Sequence, residues 1–63
     1  MIMNKFLVEV ENGKGDFIPT AVSNSENRAK EFAKSSVNKT RVRRIKDVDV
    51  LRLLEEYYIL YLN

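Results

Sequence analysis

Basic side chains are the most distinctive chemical feature of this sequence, and they are concentrated in its middle. Residues 28–46 contain eight lysines and arginines against one acid, a charge of +7, while three basic residues and eight acids elsewhere give −5. The guanidinium groups of Arg41, Arg43 and Arg44 can each bind a carboxylate or a phosphate through paired hydrogen bonds. The segment is therefore a candidate site for an acidic protein surface or a nucleic-acid backbone, although a solvated helix and a charged edge strand produce the same pattern.

The neighbourhood of these residues favours a protein partner over a nucleic acid. The segment offers no free aromatic side chain for stacking on bases, because Phe32 belongs to the apolar stripe of a helix. The basic residues also divide between that helix and a following strand, unlike those of a helix-turn-helix motif. We predict a macromolecular protein partner, with nucleic-acid binding as the alternative. Seven residues form the predicted binding surface: Arg28, Lys34, Lys39, Arg41, Arg43, Arg44 and Lys46.

Most catalytic and metal chemistry is excluded by the composition. The chain has no cysteine and no histidine, which removes disulfides, thiolate and imidazole metal ligands, and catalysis by either residue. Asp47 and Asp49 could bind a hard cation from an extended segment, but two such acids are also typical of a helix N-terminus. A chain of 63 residues has little room for a pocket that would shift a carboxyl pKa for acid–base catalysis. We therefore predict a protein that is not an enzyme and that has no metal and no cofactor.

The C-terminal end of the chain is unusually apolar. Residues 57–62 are all aromatic or aliphatic and include three tyrosines. A monomer of this size buries only about 60% of the surface of its unfolded chain, so it has difficulty covering such a segment on every side. A buried C-terminal helix in a monomer is one interpretation, and the one we favour is an interface, either with a second copy of the chain or with a partner protein. The predicted assembly is a homodimer held by four residues: Leu54, Tyr57, Tyr58 and Tyr61.

Alternation predicts a β-hairpin near the beginning of the chain. Residues 5–11 place apolar and charged side chains on opposite faces, which indicates a strand with one buried face, and Leu7 is the one apolar residue on the charged face. The Asn-Gly pair at 12–13 is typical of a hairpin turn, and 17–22 is the return strand. Pro19 cannot donate a ladder hydrogen bond, so this second strand should be short or lie at an edge.

A helix follows the hairpin. Ser23 and Glu26 have the spacing of a capping box, with Ser25 as an alternative cap. The apolar positions after the cap recur at helical spacing and form a narrow stripe of small residues, so the helix should lie close to a sheet. These positions are Ala29, Phe32, Ala33 and Val37.

Residues 40–50 predict a third strand whose register is irregular. Val42 and Ile45 are three positions apart, so a bulge at 43–44 is needed to place both on one face of a sheet.

The remaining segment, 51–63, predicts a helix that is buried on more than one side. Its first half has high helix propensity, and Asp47 or Asp49 could provide the N-cap. Residues 57–62, however, are rich in strand-forming side chains, which leaves a strand there as the alternative.

Together these elements predict a single α+β domain over residues 1–63. Their order is β-β-α-β-α, with three strands in one sheet and the helices packed on it. No stretch has the length of a signal peptide or of a bilayer span. We therefore expect a cytoplasmic protein without membrane contact.

Three segments carry a resemblance to known proteins: Phe-Leu-Val-Glu-Val at 6–10, Ala-Val-Ser-Asn-Ser-Glu-Asn-Arg-Ala-Lys-Glu-Phe-Ala at 21–33, and Arg-Val-Arg-Arg-Ile-Lys-Asp-Val at 41–48. In this order they resemble the small strand–helix–strand accessory proteins of bacteriophages and mobile elements. The resemblance implies a non-catalytic protein that binds and inhibits another protein.

Overall fold

The structure is a computed structural model, which describes residues 4–62. The elements follow one another as β1 (Asn4–Glu11), β2 (Phe17–Ser23), α1 (Glu26–Lys34), β3 (Thr40–Lys46), α2 (Asp47–Glu56) and β4 (Leu60–Leu62). The predicted α+β class and the order β-β-α-β-α are confirmed. The prediction of three strands is wrong, because a fourth strand follows α2. The sheet order is β3-β1-β2-β4, with β1 antiparallel to β2 and β3, and β4 parallel to β2.

The hairpin between β1 and β2 turns over a five-residue loop rather than a two-residue turn. The Asn12 side-chain oxygen accepts hydrogen bonds from the backbone N–H groups of Lys14 at 2.8 Å and Asp16 at 3.3 Å. Gly13 and Gly15 have φ values of +87° and +90°, and no other described residue has a positive φ. Since side chains disfavour this backbone region, both glycines are needed for the path of the loop.

The sheet irregularity lies in β2, and the bulge that we predicted in β3 is absent from the described strand. The pairing of β3 with β1 runs without a shift from Asn4 opposite Lys46 to Val10 opposite Thr40. Val42 and Ile45 therefore face opposite sides of the sheet, and each packs into a separate core. The prediction failed because it assumed one buried face, whereas a helix covers each face of this sheet.

Pro19 lies where β2 has a free side. The bulge places Thr20 as an extra residue, since Val8 pairs with Ala21 and Glu9 pairs with Pro19. Strand β4 pairs with β2 only from Ala21 onward. Strand β2 is thus interior at its C-terminal end, where β4 pairs with it, and an edge strand at Pro19. A proline, which has no N–H to donate to a neighbouring strand, is compatible with an edge position.

Two small cores hold the helices to the sheet. On the first face, α1 places the fully buried Ala29 against Val8 and Ala21. On the second face, α2 places the buried Val50 against the sheet residues Leu7, Val22 and Ile45. The apolar Leu7 on the charged side of β1 is explained by this contact with α2.

Helix α1 uses the alternative cap that we predicted, Ser25, whereas the N-cap of helix α2 is Lys46 rather than Asp47 or Asp49. Helix α1 is capped by Ser25, whose Oγ accepts a 3.4 Å hydrogen bond from the backbone N–H of Arg28. Ser23 is instead a buried end of β2, and its Oγ accepts from the N–H of Ser25 at 3.0 Å. Helix α2 begins directly after β3, so the predicted strand ends at Lys46 rather than at residue 50.

The C-terminal helix ends well before our prediction. Helix α2 stops at Glu56, Tyr57 is extended with φ −133° and ψ 152°, and β4 then joins the sheet. The aromatic and branched side chains of 57–62 favour a strand, and the free side of β2 provides its partner. The prediction of a buried helix over 51–63 is therefore wrong for residues 57–62, the alternative of a strand is confirmed over Leu60–Leu62, and Asn63 lies outside the described residues. Neither helix in residues 4–62 has the length and apolarity that a membrane crossing requires.

Candidate functional site

Strand β3 is an edge of the sheet and carries the highest density of basic residues. It pairs with β1 on one side, and no strand within residues 4–62 lies on its other side. Because side chains alternate along a strand, Arg41 and Arg43 lie on the second face, which α2 partly covers. Arg44 lies on the first face, in register with Phe6. The three arginines singled out in the sequence are therefore on one strand but on two faces.

A buried glutamate joins the two arginines of the second face. The Nε–H groups of Arg41 and Arg43 each donate to Oε1 of Glu9 at 2.8 Å. Glu9 is only 3% exposed, whereas both arginine side chains are 53% exposed. A buried carboxylate requires charged or hydrogen-bonding partners, and here the two guanidinium groups provide them. In return, Glu9 fixes the position of both guanidinium groups at the protein surface.

An aromatic ring supports one member of this pair. The guanidinium carbon of Arg41 lies 4.6 Å from the ring centroid of Phe17, within the range of a cation–π contact. Phe17 is the first residue of β2. It pairs with Glu11 of β1 and so lies on the same face of the sheet as Glu9. We call Glu9, Phe17, Arg41 and Arg43 the arginine cluster.

The arginine cluster has unused hydrogen-bond donors. A guanidinium group carries donors on Nε and on both Nη atoms, and Glu9 accepts from the Nε groups alone. Within residues 4–62, no side chain or carbonyl accepts a hydrogen bond from the Nη atoms of Arg41 or Arg43. The cluster has a net charge of +1, and its two arginine side chains are 53% exposed with free Nη donors, an arrangement that suits a carboxylate or a phosphate.

The other predicted basic residues lie at several places around the sheet. Lys39 directly precedes β3, where its carbonyl accepts from the N–H of Glu11 at 2.8 Å, and Lys46 ends the strand. Lys34 lies in the last turn of α1. Arg28 lies at the opposite edge of the sheet, where it lines a cavity with Tyr61 of β4. Three strand spacings, about 14 Å, separate that edge from β3.

Glu9 and Phe17 were missed as site residues by the sequence analysis. Glu9 was interpreted only as a charged residue on the outer face of β1. The sequence does contain a signal for it: β1 carries acids two positions apart, at 9 and 11, and β3 carries arginines two positions apart, at 41 and 43. Opposite charges on one face of adjacent strands stabilise each other.

The residues predicted for self-association lie at the surface. Tyr58 is fully exposed, and Leu54, Tyr57 and Tyr61 are between 37% and 55% exposed. Leu51 of α2 and Leu60 of β4 are also exposed, and residues 54–59 line a shallow cavity of about 430 Å³. We call the four residues predicted for self-association, Leu54, Tyr57, Tyr58 and Tyr61, the tyrosine surface. The alternative of a C-terminal helix buried within the monomer is wrong.

Lys5 of β1 makes contacts with α2 and with β4. The Lys5 side chain is mostly buried, and its amine contacts the side-chain oxygen of Asn24, lies 3.5 Å from Oδ1 of Asp47, and is 5.8 Å from the ring centroid of Tyr61. The contact at 3.5 Å is an ion pair rather than a hydrogen bond, and Oδ1 of Asp47 accepts no hydrogen bond from residues 4–62.

Asp47 and Asp49 occupy the first turn of α2 rather than an extended segment. No group of three or more metal-ligating side chains occurs in the described part of the chain.

Comparison of the chain with protein-family models, with curated proteins and with solved structures found no significant match. The function is therefore inferred from the geometry of the chain's own residues.

Proposed function

We propose that this protein is a non-catalytic binding protein that recognises an acidic surface of another protein through the arginine cluster. The observation that carries this proposal is the pairing of Arg41 and Arg43 with the buried carboxylate of Glu9, which leaves their Nη donors without an acceptor in residues 4–62 on side chains that are half exposed. A guanidinium group that is already oriented loses less conformational freedom when it binds a carboxylate. By occupying such a surface, the protein would act as an accessory or inhibitor of its partner.

The charge around the cluster favours a protein over a nucleic acid. Glu9 neutralises one of the two arginines, and Glu11 adds a further acid on the same face. Affinity for duplex DNA grows with the number of phosphates neutralised. Arg44 lies on the opposite face of the sheet from Arg41 and Arg43, so each face carries few cations. A protein carboxylate needs only one or two well-placed donors.

The test compares two variants that each lose two positive charges. Arg41→Gln with Arg43→Gln removes the donors of the cluster, and Arg28→Gln with Lys34→Gln removes the same charge from α1. Binding of labelled polyglutamate and of a duplex DNA is measured by fluorescence anisotropy at low salt, after circular dichroism has shown that both variants are folded.

We expect the cluster variant to bind polyglutamate about tenfold more weakly, since two exposed charge pairs contribute about 1.4 kcal/mol together. The α1 variant should lose less than about half of that free energy, because its charges lie away from β3. An equal loss in both variants would show that only net charge matters and would overturn the proposal. Duplex DNA bound more tightly than polyglutamate would establish the nucleic-acid alternative instead.

A further inference from the structure

The free side of β3 is a second feature of the same edge. The strand is seven residues long, contains no proline, and pairs with β1 without a bulge. On its outer side, the backbone N–H and C=O groups have no strand partner within residues 4–62. At the other edge of the sheet, β4 is only three residues long. A straight edge of this length is a template for one more strand.

The charges on β3 restrict which strand can pair there. Lysine and arginine on an edge oppose the addition of a second basic strand, so pairing with another copy of β3 is disfavoured. An acidic strand has the opposite effect. Strand β1 already illustrates this, because it presents Glu9 in register with Arg41 and within hydrogen-bond distance of both cluster arginines.

We infer that β3 binds an extended acidic segment of a partner protein as a fifth strand of the sheet. This inference rests on the proposed function and adds the conformation and sequence pattern of the ligand. Carboxylates two positions apart would face Arg41 and Arg43 on the second face. The side chain between them would lie beside the half-buried Val42, which packs on the core under α1, so an apolar residue fits that position. The expected ligand pattern is acidic–apolar–acidic.

The test uses synthetic peptides in which glutamate alternates with valine over eight residues. One peptide is unmodified, a second is N-methylated at every valine, and a third is N-methylated at every glutamate. In a strand, the N–H groups of alternate residues point to the same side. An added strand therefore directs either its glutamate or its valine N–H groups at β3, and only one of the two methylated peptides should lose binding.

Binding is measured by titration calorimetry with the intact chain. We expect the unmodified peptide and one methylated peptide to bind within about twofold of each other, and the other methylated peptide to bind at least about tenfold more weakly. In amide NMR spectra, the unmodified peptide should shift resonances of residues 40–46 more than those of 60–62. Equal binding of all three peptides would overturn the inference, as would a failure of the unmodified peptide to bind at about 1 mM.

The variants separate this inference from the proposed function. If Arg41→Gln with Arg43→Gln weakens the unmodified peptide while methylation has no effect, the acidic ligand is correct and strand addition is wrong. If the double variant has no effect on any peptide, the proposed recognition through the arginine cluster is wrong, whatever the effect of methylation.

Discussion

Replacement of Glu9 by glutamine separates the structural role of the arginine cluster from its charge. Glutamine keeps the size and the acceptor oxygen of the side chain but removes the charge that binds Arg41 and Arg43. A hydrogen bond to a charged group contributes about 1.5–3 kcal/mol and a neutral one about 0.5–1.5 kcal/mol, a difference of about 1 kcal/mol per arginine. Both arginines are 53% exposed, and screening by water reduces this difference. We expect Glu9→Gln to lower the free energy of unfolding by about 1–2 kcal/mol.

Urea denaturation followed by far-ultraviolet circular dichroism measures this loss. A matched control is Glu11→Gln, since Glu11 lies two residues further on the same face of β1 and makes no ion pair within residues 4–62. Its effect should stay within about 0.5 kcal/mol, as for an ordinary surface substitution. Equal losses in the two variants would refute the assignment of Glu9 as the anchor of both arginines.

In the same variant, the lost charge and the lost orientation have opposite effects on the affinity for polyglutamate. Removal of the Glu9 charge raises the net charge of the cluster from +1 to +2, which by long-range attraction alone would strengthen binding to polyglutamate. Loss of the anchor also frees Arg41 and Arg43, which then lose more rotamer freedom on binding. We expect the second effect to prevail and Glu9→Gln to bind polyglutamate more weakly than the unmodified chain. Tighter binding would show that charge, and not orientation, determines the affinity.

Three further outcomes test the fold and the second surface. Leu7→Ala should lower the free energy of unfolding by about 2–5 kcal/mol in urea denaturation, since Leu7 is fully buried against α2; a loss near zero would contradict that packing. Ser25→Ala should cost about 0.5–2 kcal/mol in the same assay and Ser25→Asp much less, because aspartate also caps helices; equal effects would refute the cap. Self-association through the tyrosine surface remains a prediction: at micromolar concentration the chain should sediment as a dimer, and Leu54→Ser with Tyr58→Ser as a folded monomer. A monomeric unmodified chain would disprove it.

Local patterns predicted the elements better than they predicted their partners. The alternation of β1, the cap before α1 and the basic strand over β3 all depend on neighbours a few residues apart, so the sequence contains their signal. Val42 packs in one core and Ile45 in the other because helices cover both faces of the sheet. That information lies in the tertiary arrangement, and the assumption of a single buried face led directly to the mistaken bulge.

The C-terminal strand shows the same limit for secondary structure itself. Residues 57–62 have strand-forming side chains, yet the preceding sequence has high helix propensity and a helical spacing of apolar residues that extends to Tyr61. The outcome depends on whether β2 has a free side where β4 can pair, and this follows from the sheet order. Tertiary pairing therefore overrides propensity at the end of α2.

The position of Glu9 also makes the proposed binding site depend on the stability of the hairpin. Glu9 lies two residues from the core residue Leu7, and it is at this point that the register of β1 with β2 shifts. Glu9 pairs with Pro19 of β2 on one side and with Arg41 of β3 on the other, so the burial of its carboxylate requires that β1 lie between both strands. A change that loosens the hairpin, even one far from Arg41 and Arg43, would therefore release both guanidinium groups. The arginine cluster is thus a product of the folded sheet, and a peptide of residues 39–46 alone has the same charges without their orientation.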